Sequence, residues 1–151
     1  MYSVDAIGTV RSPRREAADD RGAVVSELEL GASHLRWDAT AGLADFMHVV
    51  VVLLLHLIEP GSVFRGARRP RGNPDWPEVG ILAQHAKARP DRTGVTVRDL
   101  LAVDGLRLRV RGLDAIHGTP LLDVKPFKRD FAPRGDIRLP RWATELMARY
   151  L

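Results

Sequence analysis

Between Gly94 and Gly112 the chain alternates so regularly that few structures are open to it. Leu106, Leu108 and Val110 fall on one side and Arg107, Arg109 and Arg111 on the other, the period of two that belongs to a half-buried strand. Asp104-Gly105, just ahead, is a strong two-residue turn signal. The segment therefore predicts a β-hairpin whose arginine side faces solvent. Other segments agree with this. Val24 to Leu30 alternates Val24, Ser26, Leu28 and Leu30 against Val25, Glu27 and Glu29. Tyr2 to Arg11 reads as a first strand stopped by Ser12-Pro13, and Glu78 to Gln84 and Leu121 to Val124 add further strands.

The most hydrophobic stretch, Met47 to Ile58, has twelve residues and contains His48 and His56. A membrane-spanning helix needs about 20 apolar residues, so Val49 to Leu57 is expected to be a strand buried on both faces. Helices are few. Thr40 to Phe46 is a candidate short helix with Thr40 as its N-cap, and Pro140 to Leu151 a C-terminal one with Trp142, Leu146, Met147 and Tyr150 along one stripe. Arg14 to Gly22 is polar and expected to be a mobile loop. Glu59 to Pro77, with three glycines, four prolines and four arginines, is expected to lack regular structure, as is the tail Lys128 to Pro140. The fold class is mainly β: a small antiparallel barrel with short helices and a C-terminal helix, formed by residues 1–151 as one domain.

The chain contains no cysteine, which excludes disulfides, thiolate metal sites and cysteine nucleophiles. Its start lacks the basic and apolar segments of a secretory leader, so a cytoplasmic protein is expected. The net charge is +4, and only three of the 23 basic residues are lysines. Such a charge says little about partners. The cluster Arg65, Arg68, Arg69 and Arg71 is denser, and phosphate recognition and a solvated surface both remain open for it.

Chemistry-bearing residues concentrate between Gly112 and Phe127. Here the turn His117-Gly118-Thr119-Pro120 lies beside Asp114, Asp123 and Lys125. A turn that offered unpaired backbone N–H groups next to carboxylates and a lysine would hold a polar ligand. Asp123 and Lys125 are one residue apart and so project to the same side of an extended segment; a catalytic pair and a structural ion pair are both open. Gln84, His85 and Arg89, before the turn at Gly94, are candidates to line a cleft, or simply a connecting loop. His48 and His56 share a strand face but lack a third ligand nearby, so core or pocket-edge histidines are expected and no metal site.

Four segments, in order, resemble the TsaA-like (TrmO) family. Ile7-Gly8-Thr9-Val10-Arg11-Ser12-Pro13 is similar to its opening I-G-x-[IV]-R-S-P, and Gly42 to His48 with the apolar run to His56 resembles G-L-x-x-F-S-H and the strand after it. Val79 to Gly94 and Gly112 to Phe127 resemble its two remaining blocks. The family pattern differs at Met47, at Asp91 (usually Asn) and at His117 (Asp in D-G-T-P). The resemblance implies a seven-stranded antiparallel β-barrel, usually a homodimer, that binds S-adenosylmethionine and methylates N6 of threonylcarbamoyladenosine at position 37 of tRNA. It implies cofactor contacts from Gln84, His85, Arg89, Gly94, Asp114, Ile116, His117, Gly118, Thr119 and Pro120. Within that family frame, Asp123 becomes the candidate base and Lys125 a carboxylate-orienting group. Two alternatives stay open: methyl transfer to a small metabolite, and a non-catalytic nucleotide- or RNA-binding barrel.

Overall fold

The computed structural model describes residues 1–16 and 24–148. The expected loop over Arg14 to Gly22 therefore lies mostly outside the described residues, as does Tyr150. The chain divides into two compact units. One comprises Met1–Leu54 with Gly94–Ala132, the other Leu55–Thr93 with Pro133–Leu151.

The first unit is a mainly β barrel. Strands β1 (Gly8–Arg11), β2 (Val25–Leu30) and β3 (His48–Leu54) precede a two-residue strand pair, β4 (Ala67–Arg68) and β5 (Val79–Gly80). They are followed by β6 (Thr93–Asp104), β7 (Arg107–Arg111) and β8 (Pro120–Pro126). Six of these close a barrel in the order β1-β2-β7-β6-β3-β8, while β4 and β5 form a separate sheet. The barrel thus has one strand fewer than the seven expected, because the Glu78 to Gln84 segment is a strand only at Val79–Gly80 before a 3₁₀ turn at Ile81–Ala83.

The hairpin of β6 and β7 forms as the alternation requires. Leu108 and Val110 are fully buried beside Leu28, Val10, Val49, Val51, Leu113 and Leu121, while Arg107, Arg109 and Arg111 are exposed. Its loop sits one residue later than the turn signal: Asp104 pairs with Arg107, leaving Gly105 and Leu106 to turn, with Gly105 at φ 56°. A positive φ at the first loop position is what hairpin glycines supply. Thr40 caps no helix; its hydroxyl donates to the Gly105 carbonyl at 2.7 Å, and only a 3₁₀ turn at Leu43–Asp45 follows.

Strand β3 departs from expectation in an instructive way. Val49, Val51 and Leu53 are buried, but His48, Val50, Val52 and Leu54 are only half-buried. One face meets the core and the other forms the barrel wall. His56 lies in the turn beyond the strand, so the two histidines do not share a strand face. Nor is His48 a core residue: its Nε2 lies 3.3 Å from Asp99 on the half-exposed exterior. Opposite β3, β8 contains a bulge. Val52 pairs with Asp123 and Leu53 with Leu121, leaving Leu122 as the extra residue. The bulge resets the phase, so Leu121 and Val124 both contribute to the core while Asp123 and Lys125 face outward.

In the second unit, arginine and glutamine side chains take over what longer strands would do. Gln84, buried, donates its amide to the carbonyls of Arg68 (3.2 Å) and Val79 (2.9 Å), bracing β4 and β5. Arg89 donates to the carbonyls of Ile81, at 3.1 Å, and Gln84. Arg69 does the same for Pro74 and Trp76. The Glu59 to Pro77 segment is thus more regular than its composition suggests. It holds 3₁₀ turns at Pro60–Ser62 and Pro70–Gly72, each with proline at its start, where the missing N–H costs nothing. Helix α1 (Arg141–Ala148) is tied in through Glu145, which accepts from the Trp76 indole at 2.9 Å and from Arg141 at 2.7 Å.

Candidate functional site

The barrel unit brings together two segments over 100 residues apart in sequence. Strand β1 runs into Ser12-Pro13-Arg14, and the turn before β8 folds against it. Val10 N–H donates to the Thr119 carbonyl (2.9 Å), Gly118 N–H to the Val10 carbonyl (2.8 Å) and His117 N–H to the Arg14 carbonyl (2.7 Å). Thr119 is buried, and both its N–H (3.2 Å) and its hydroxyl (2.7 Å) donate to the Ile116 carbonyl. The expectation of unpaired N–H groups in this turn is therefore overturned: β1 and the Ser12–Arg14 segment take up His117 and Gly118, and Ile116 takes up Thr119. Ligand recognition falls to side chains.

Those side chains are well placed. The Ser12 N–H donates to His117 Nδ1 at 3.4 Å, the Arg14 N–H to Ser12 Oγ at 3.1 Å, and the buried Ser26 Oγ lies 3.3 Å from Ser12 Oγ. Arg14 and Asp114 pair at 3.4 Å with side chains only 10% and 24% exposed, which fixes the Ser12–Arg14 segment against the Leu113–Ala115 core segment. An open cleft of about 330 Å³ lies here, lined by Arg11, Ser12, Pro13, Arg15, Val25, Ser26, Glu27, Arg109 and His117. That volume lies at the lower end of the range of small-molecule sites, about 300–1,000 Å³. Three guanidinium groups, one carboxylate and an imidazole around apolar Val25 and Pro13 can orient a ligand carrying both a carboxylate and a cationic centre.

Of the residues singled out from sequence, Asp114, Ile116, His117, Gly118, Thr119 and Pro120 gather at this end of the barrel, with His117 alone lining the cleft. Arg11, Arg15, Ser26, Glu27 and Arg109 were missed as site residues. Alternation marks Glu27 and Arg109 as barrel exterior and Ser26 as core, Arg15 lies beyond the strand, and nothing local signals that β1, β2 and β7 bring them beside a turn at residue 117. Gln84 and Arg89 lie in the second unit, joined to each other, with polar groups engaged in bracing; His85 is exposed and Gly94 sits in β6. Asp123 and Lys125 pair on the barrel exterior at 2.7 Å, with Asp123 Oδ1 also accepting from Val124 N–H at 2.8 Å. Among the described residues no cluster of three or more His, Asp or Glu side chains is placed to hold a metal ion, and no helix is long and apolar enough to cross a membrane.

Asp91 is accounted for locally. Its carboxylate accepts from the Thr93 hydroxyl (2.8 Å) and N–H (3.3 Å). The hydroxyl contact, foremost, holds the Asp91 carboxyl below the ordinary carboxylate value; burial opposes it, and the Thr93 N–H, the residue's own N–H and the Arg89 charge add to the lowering. A carboxyl lowered on folding stabilises the fold above its unfolded pKa, about 3.9, and loses that contribution as pH falls through the folded value. Thr93→Val should raise the Asp91 pKa, read by NMR titration of its carboxyl carbon. An unmoved titration would show that the hydroxyl is not the cause.

Residues 9–132 match the model of the tRNA-methyltransferase O N-terminal domain. The chain is 36% identical over 137 residues to a probable S-adenosyl-L-methionine-binding protein of Methanothermobacter thermautotrophicus, covering 85% of this chain and 92% of that protein. It is 31% identical over 138 residues to the tRNA (adenine(37)-N6)-methyltransferase of Escherichia coli, covering 83% of this chain but 57% of the relative. Two solved structures of TrmO from Pseudomonas aeruginosa superpose with TM-scores of 0.74 and 0.72 at 28% and 27% identity, covering 94% and 91% of this chain and 62% and 61% of theirs. With a six-stranded barrel that closes around the Arg11-Ser12-Pro13 and His117-Gly118-Thr119-Pro120 segments, the chain belongs to the tRNA-methyltransferase O family through its N-terminal domain.

Proposed function

We propose that this protein is an S-adenosylmethionine-dependent methyltransferase whose acceptor is N6 of a tRNA adenine, threonylcarbamoyladenosine at position 37. The observation that carries this is the meeting of Arg11, Ser12, Pro13 and Arg15 with His117 at one cleft in a chain of this family. The donor set fits the cofactor: Arg11, Arg15 and Arg109 suit a carboxylate, and Glu27 suits an ammonium or sulfonium. When bound, the cofactor supplies an electrophilic methyl group, and the transfer gains most from alignment of the acceptor nitrogen with it.

The protein's own residues orient and move a proton. Asp114 holds Arg14, and with it the Ser12–Arg14 segment, in place. Ile116, Gly118, Thr119 and Pro120 shape the turn that positions His117 at the cofactor. Gly94 of β6, and His85 and Arg89 of the second unit, are kept as candidate cofactor contacts, with Gln84 holding the 79–89 segment in form. The acceptor N–H proton is assigned to Asp123, oriented by Lys125.

Calorimetric titration with S-adenosylmethionine, followed by transfer of a labelled methyl group to bulk tRNA, tests the proposal. Binding with transfer to tRNA supports it; binding with transfer only to small acceptors reassigns the substrate, and no binding removes the enzyme. A cytoplasmic homodimer is part of the same reading. Trp142 and Leu146 remain half-exposed and Met147 exposed along α1, apolar surface that a second chain would cover. Sedimentation at micromolar concentration should give the mass of two chains, and the mass of one would overturn it.

A further inference from the structure

We propose that Arg65, Arg68 and Lys87 form a docking surface of the second unit for the phosphate backbone of RNA, an inference that rests on tRNA being the acceptor. Between Glu59 and Asp75 the chain has four arginines and no acid. Arg69 is taken up by bracing: it donates to the Pro74 and Trp76 carbonyls. Arg65 and Arg68 are exposed. The Arg68 guanidinium lies over the Phe64 ring, 4.8 Å from its centroid, a cation–π contact that restrains an exposed side chain.

Backbone hydrogen bonds bring the segments that carry these cations together. Phe64 N–H donates to the Ala88 carbonyl at 2.8 Å, which lays exposed Lys87 alongside the Phe64-Arg65 segment. Ile81 N–H donates to the Gly66 carbonyl at 2.8 Å, and Gln84 grips the Arg68 carbonyl from the buried side. Three exposed cations on a braced frame, two of them forked guanidiniums of which Arg68 stacks on an aromatic ring, suit phosphate oxygens. An acidic protein surface would be met more weakly, because carboxylates are not spaced along a regular backbone.

The test uses the full chain, tRNA transcripts and fluorescence anisotropy across a salt series. In the triple variant R65Q/R68Q/K87Q, affinity for tRNA should fall about tenfold or more. The plot of log affinity against log salt should flatten by about two to three, since each lost phosphate contact removes about 0.7–0.9 from the slope. S-adenosylmethionine binding and thermal unfolding should stay as in the wild type. If the triple variant does not fold, the single variants carry the test, each expected to lose about 0.7–0.9 of slope. A folded variant with wild-type affinity and slope overturns the surface, and so does polyglutamate competing as well as RNA. If wild-type protein methylates tRNA but the variant keeps its slope, only the surface fails. If wild-type protein binds the cofactor but no tRNA, the surface and the assignment of a tRNA substrate fail together.

Discussion

Asp123→Asn should slow single-turnover methyl transfer to tRNA by about 10²-fold while moving the melting temperature by only a few degrees, and Lys125→Ala should do the same. The magnitude follows from the role proposed for the pair. A positioned proton acceptor contributes about 10²–10⁴-fold to a rate, and the asparagine keeps shape while losing the proton acceptor. The small effect on folding follows from exposure. The pair lies on the outer wall of β8 with side chains 44% and 63% exposed, where an ion pair is worth about 0–1 kcal/mol. Rates and thermal unfolding measured on the same samples separate the possibilities. Wild-type rates in both variants would reduce the pair to a surface ion pair, and loss of fold in both would make it structural.

Gly8→Val should cost about 3 kcal/mol of stability, the largest change expected from a substitution that touches no chemistry. Gly8 sits where β1 closes the barrel, opposite Leu30 of β2 and Leu121 of β8. A Cβ there would lie 2.4 Å from the Glu29 carbonyl oxygen and 3.1 Å from both the Glu29 carbonyl carbon and Leu30 Cα. All three are backbone atoms, and a strand held on both sides cannot retreat from them. Valine's better strand propensity, within a scale of about 1 kcal/mol, is outweighed by overpacking of about 1–3 kcal/mol or more. The proper control is Gly80→Ala. Its added Cβ meets nothing within 4 Å and its φ is −61°, so stability should stay level or rise by about 0.4–1 kcal/mol. Urea midpoints for the two variants check the pair, and equal midpoints would refute the steric account.

The sequence is most readable where burial alternates cleanly. The Leu106, Leu108 and Val110 pattern specifies its strand because the opposite face is arginine, and only the turn residues shift by one. Strand β3 misleads for the complementary reason. Val50 and Val52 are apolar like Val49 and Val51, so composition alone cannot say that one set faces the core and the other the wall. The β8 bulge at Leu122 is equally silent in sequence, yet it decides that Asp123 faces out. The candidate site is half legible. The turn at His117 announces itself through glycine and proline, but the partners of its N–H groups are carbonyls of Val10 and Arg14, over 100 residues away. Gln84 and Arg89 show the opposite limit. Polar residues in a loop suggest a ligand, and here the structure gives them backbone carbonyls to hold.

The histidine at 117 changes the polarity of the cleft without disturbing its scaffold. An imidazole that accepts the Ser12 N–H at Nδ1 carries its proton, when neutral, on Nε2. Aspartate in the family-like D-G-T-P turn would offer lone pairs to the backbone amide and to the ligand alike, along with a negative charge. Histidine offers the amide the same lone pair and the ligand a hydrogen. Set beside Arg11, Arg15 and Arg109, it leaves Glu27 as the one carboxylate of the cleft lining and turns the position at 117 from an acceptor into a donor.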